Sequence, residues 1–158
     1  MSETLKQFAE RAAEGAARIF DALGEMPAMY HAVDRHGRDL LIGEPPAEDR
    51  DVAVDLVREL LAHIGATRVA FLNEAWTVRG MTKPEADAIV GKVADHPDRM
   101  EVLVITAEDV REPALFGHRR IIRHDKSTEL GPLQWFDMNN AQGRMIGLLP
   151  PPPGQRLS

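Results

Sequence analysis

The 158-residue chain has no cysteine. Disulfides, thiolate metal sites and a cysteine nucleophile are thereby excluded, and a reducing compartment is the expected setting. Serine is almost as scarce. Ser2, Ser127 and Ser158 are all there are, so serine catalysis would rest on Ser127 in a polar loop. No apolar run approaches the roughly 20 residues of a membrane span. The most continuous stretches, such as Val102 to Ile105, have the length of a strand segment. The first residues mix Lys6, Arg11 and Arg18 with Glu3, Glu10, Glu14 and Asp21, without the basic-then-apolar order of a signal peptide, so a cytoplasmic location is expected.

The strong catalytic motifs are missing as well. No Walker loop, G-x-G-x-x-G, G-x-S-x-G or H-E-x-x-H occurs, which removes whole enzyme classes. A zinc deaminase site fails for want of its cysteine pair. His31, His36, His118 and His124 have no tight ligand spacing, so neither a metal nor a cofactor is expected. The formal net charge of −6 argues against a general electrostatic grip on nucleic acid or anionic lipid.

What is present is an ordinary globular composition, 44% hydrophobic and 28% charged, in a chain long enough to bury one core. Leu5, Phe8, Ala9, Ala12, Ala16, Ile19, Phe20 and Leu23 recur at three- and four-residue steps, predicting an amphipathic first helix. Thr4 with Gln7 fits a capping box, and Gly24 with Pro27 supplies the stop. Met29 to Asp34 and Arg38 to Gly43 flank a turn at Arg35-His36-Gly37 and read as a hairpin. Glu48, Asp49 and Asp51 then open a second helix, whose stripe is Val52, Leu56, Val57, Leu60, Leu61 and Ile64, closed by Gly65.

Val69-Ala70-Phe71-Leu72, within Thr67 to Arg79, is apolar on both faces and predicts a central strand. Thr82-Lys83-Pro84-Glu85 repeats a cap pattern ahead of a short helix or an ordered excursion, the segment being weakened by Gly91. Met100 to Glu108, Leu115 to His124 and Leu133 to Met138 read as an antiparallel meander. The expected class is α+β: a mainly antiparallel sheet of about six strands with two longer helices and one short helix. Residues 1–149 form the single domain, and 150–158, opening on four prolines, form a flexible tail. A sheet apolar on both sides is covered either by one helix on each face or by two helices and a second copy of the chain, which makes a homodimer one expectation.

One constellation stands out as a candidate ligand-binding site. Glu74 shares its strand face with Ala70, Leu72, Trp76 and Val78, so a carboxylate sits in an apolar row. With Asn73 beside it, Trp76 as a stacking wall and His118 and Arg120 from the meander, Glu74 could act as an acid or base on a small polar molecule. The plainer reading of Glu74 is a structural ion pair with Arg79, Arg119 or Arg120 at the sheet's end. The basic run from His118 to His124 divides its charges between both strand faces and lacks interleaved aromatics, which disfavours nucleic acid. The leading expectation is therefore a non-enzymatic binding or regulatory module that self-associates, with an enzyme using Glu74 as the alternative.

Overall fold

A computed structural model describes residues 3–45, 49–78, 99–136 and 148–149. Within them the chain runs α1 (Leu5–Leu23), β1 (Met29–Val33), β2 (Asp39–Gly43), α2 (Arg50–Ile64), β3 (Arg68–Val78), β4 (Arg99–Asp109), β5 (Leu115–Arg123), β6 (Thr128–Leu130) and β7 (Gln134–Phe136). The class is α+β, as expected. Seven strands form one antiparallel sheet in the order β2-β1-β3-β4-β5-β6, with β7 also paired to β5. The count agrees with the expected sheet of about six strands, the additional β6 being three residues long and too short to carry an alternation of its own. The short helix expected after Thr82 and the tail 150–158 lie outside the described residues.

Both helix ends of α1 form as the sequence dictates. Thr4 and Gln7 complete a reciprocal capping box, and Gly24 takes the left-handed conformation, φ 76°, that closes the helix. The face carrying Leu5, Phe8, Ala9, Ala12, Ala13, Ala16 and Phe20 is buried against Ala70, Leu72, Leu103, Ile105 and Ala107 of β3 and β4. Its run of alanines lets the helix approach the sheet closely. Phe8 and Phe20 are buried in the same core, each worth about 1.5–3 kcal/mol by transfer from water.

The second helix covers the opposite face. Val54, Val57 and Leu61 pack on Tyr30 and Ala32 of β1 and on Val69 and Phe71 of β3, with Ile42 of β2 at the margin. The two faces of β3 thus feed two cores, which is why its apolar run does not alternate. Each helix takes one face, so the sheet needs no second copy to cover it there. Leu148 and Leu149 join the α2 core, and the Leu148 N–H donates to both oxygens of the buried Glu108 carboxylate at 2.9 and 3.1 Å.

Polar latches fix the hairpin to both helices. Asp34 accepts the N–H groups of His36 and Arg38 and the Arg38 guanidinium; those main-chain bonds above all hold its carboxyl below the usual range. Arg35, next in the turn, donates to the carbonyls of His63 and Ile64, capping the negative end of α2. On the other face, Asp39 accepts from His31 and Arg11, each at 2.9 Å, and Arg11 reaches on to Glu3.

Candidate functional site

Strand register decides where the sequence-selected residues lie. Glu74 pairs with Leu103, which in turn pairs with Arg119; Asn73 pairs with Val104, which pairs with His118. Residues opposite each other share a face, so Glu74 lies on the α1 side, while Asn73, His118 and Arg120 lie on the α2 side. The sheet itself separates the Glu74 carboxylate from His118 and Arg120. An acid/base pocket combining them does not form, because a single residue of register exchanges the faces of a whole strand. Trp76 stands opposite Glu101 on β3; its side chain lies outside the described residues.

Glu74 makes a structural contact. Its Oε1 accepts the Met26 N–H at 2.6 Å, tying the segment between α1 and β1 to the middle of the sheet. Its charge also helps raise the pKa of Arg123, whose chief partner is Glu101, through two bonds of 2.7 and 2.8 Å. Neither Arg119 nor Arg120 pairs with Glu74 among the described contacts, and Arg79, the third partner anticipated for it, lies outside the described residues. Arg119 turns to the carbonyls of Gly131 and Leu130, and Arg120 is exposed.

On the α2 side, the His118 ring packs against Phe136 at 4.4 Å between centroids. Its Nδ1 is buried without a hydrogen-bond partner among the described residues. Burial depresses its pKa, outweighing a main-chain contact that acts the other way, and so favours the neutral ring. Asn73 donates to the Glu74 carbonyl at 3.2 Å. Both residues lie on the α2 side of the sheet.

Two surface features were not legible as sites in the sequence. The first is a groove of about 330 Å³ between α1 and the far end of the sheet, lined by Lys6, Glu10, Ala13, Glu14, Arg119, Leu133 and Trp135. Trp135 lies directly over Gly117, where a Cβ would come within 2.8 Å of the indole ring. The groove is open and carries both signs of charge, which fits no single ligand class.

The second is an apolar edge. Periodicity places Val52, Leu56 and Leu60 on one stripe with Val57 and Leu61, but only the latter two are buried. Val52, Leu56 and Leu60 remain 51%, 45% and 40% exposed, forming an i, i+4, i+8 row on a flank of α2. Leu40 and Leu41 on β2 are 37% and 62% exposed. Since β2 ends the sheet, its outward main-chain groups have no strand beside them among the described residues. Among those residues no group of His, Asp or Glu is arranged to hold a metal ion, and no helix is long and apolar enough to cross a membrane.

Comparison with known proteins finds no family model, no curated protein and no solved structure that matches this chain.

Proposed function

We propose that this protein is a small non-enzymatic binding or regulatory module that acts as a homodimer. The observation that carries this reading is the apolar edge: four large aliphatic side chains on α2 and on the same face of β2, Val52, Leu56, Leu60 and Leu40, 37–51% exposed, beside an open strand, with Leu41 exposed on its other face. Exposed edge strands are normally short, charged or covered, and contiguous apolar surface of this kind marks an interaction site. Where α1 and α2 cover the sheet faces, this edge remains the surface open to a second copy. The enzyme alternative is weakened because Glu74 is engaged by Met26 and faces away from His118 and Arg120.

Native mass spectrometry of the purified chain tests the reading. A dimer of two 17.5 kDa chains without additional mass supports it. A monomer retaining a small molecule contradicts it and restores the enzyme alternative, with the charged groove beside Trp135 as the place to look.

A further inference from the structure

We infer that the dimer, which this inference takes from the proposed function, is built by continuing the sheet through β2. In this arrangement β2 of each copy pairs antiparallel about a two-fold axis, and the two α2 helices lie antiparallel on one face with Leu56 near the axis.

The topology brings the required surfaces together. β2 and β3 both run antiparallel to β1, so they are parallel to each other and α2 is the crossover between them. A right-handed crossover turns one flank of the helix toward β2, and at 100° per residue that flank carries Val52, Leu56 and Leu60. The opposite flank, with Asp51 and Asp55, faces β4. The exposed row therefore overhangs the open edge, with Leu40 beneath it on the same sheet face as Ile42.

Distances agree with one more strand of the same kind. With α2 seated over β1, strand spacing places its axis about 7 Å from a two-fold between the β2 strands, and the two helices about 14 Å apart. Direct helix contact is about 8–10 Å. The remaining gap calls for large side chains from both sides, and Leu56 and Leu60 from above with Leu40 from below are of that size. A two-fold operation also makes each patch its own complement.

The charges are complementary in the same arrangement. Antiparallel pairing centred on Leu56 matches Val52 with the partner copy's Leu60, and it brings Asp49, the N-cap at one helix start, near the other copy's His63. His63 lies in the last turn of α2 and Asp49 caps its start, both exposed. Opposed helix dipoles add in the same sense. A parallel arrangement would set acidic starts against each other.

The absence of cysteine makes a clean test possible. Leu56→Cys and Asp55→Cys are prepared singly and treated at micromolar concentration with a short bis-maleimide, alongside native mass spectrometry of the untreated proteins. The expected result is a dimer by mass for both, with most Leu56→Cys chains linked into a band of doubled mass and Asp55→Cys, on the far flank, left unlinked. A dimer by mass that links through Asp55→Cys, or through neither, overturns this geometry and leaves self-association standing. A monomer by mass, with the unsubstituted chain also monomeric, overturns both.

Discussion

Glu74 and Met26, 48 residues apart, are joined by a 2.6 Å hydrogen bond from main-chain N–H to carboxylate. Removing the acceptor strands a partly buried donor, which costs about 1–3 kcal/mol. Glu74→Ala is expected to lower stability by that amount in urea titration. Glu74→Gln, which keeps an acceptor oxygen, is expected to recover most of it. Equal losses from both substitutions would mean that the negative charge, beside Arg123, matters more than the bond to Met26.

Arg68 ties the start of α1 to the sheet. It contacts Asp109 at 2.5 Å, Glu112 at 3.3 Å and the Thr4 carbonyl at 3.3 Å, and Glu112 accepts the Leu5 N–H. Asp109 is nearly buried, so Arg68→Met leaves a carboxylate without its main partner. The expected loss is about 1–3 kcal/mol, below the 3–5 of a fully buried pair because Arg68 keeps some solvent and Asp109 keeps the Arg111 N–H. A double-mutant cycle with Asp109→Asn is expected to give a coupling of at least about 0.5 kcal/mol.

Gly117 is fixed by what lies over it. A Cβ there would fall 2.8 Å from the Trp135 ring and 2.9 Å from the Gln134 carbonyl oxygen. Gly117→Ala is expected to push β7 off β5, at about 1–3 kcal/mol, and to shift the Trp135 fluorescence to the red in a Trp76→Phe background. An unchanged spectrum would show that β7 yields without leaving the sheet.

Acid should weaken the fold in two windows. Glu3, Asp34, Asp39 and Glu101 all have depressed pKa values. The causes are the Arg11 bond for Glu3, main-chain donors for Asp34, the Arg123 pair for Glu101, and for Asp39 bonds from His31 and Arg11 that overcome its burial. Their stabilisation is complete above the unfolded carboxylate values of about 4 and is lost as pH falls through the lower folded values. His118 is also depressed, by burial; for a histidine this means the unfolded chain takes up the proton first. Stability therefore starts to fall below about pH 6.5. Urea titrations over this range are expected to show the early loss in the natural chain and a flatter profile in His118→Gln.

The elements with marked ends were legible in the sequence. Thr4, Gln7 and Gly24 bound α1, Gly65 closes α2 at φ 68°, and Gly37 at φ 79° makes the hairpin turn. The double-sided run Val69–Leu72 located β3 inside the sheet. The site was less legible, because the relative face of Glu74 and His118, 44 residues apart, depends on two successive pairing registers, β3 with β4 and β4 with β5, which no local pattern encodes. That is why Glu74 and His118, plausible partners by residue type, lie on opposite sides. The stripe of α2 misled for a related reason. Periodicity reports apolar residues, and it cannot tell Val57, which meets the sheet, from Leu56, which meets solvent in the single chain.

Self-association through the α2 and β2 edge is tested most directly by sedimentation equilibrium of the natural chain and of Leu56→Glu. The account predicts a dimer at micromolar concentration for the natural chain and a folded monomer, with unchanged circular dichroism, for the variant. A natural chain that remains a 17.5 kDa monomer, or a Leu56→Glu variant that dimerises as well as its parent, would contradict it.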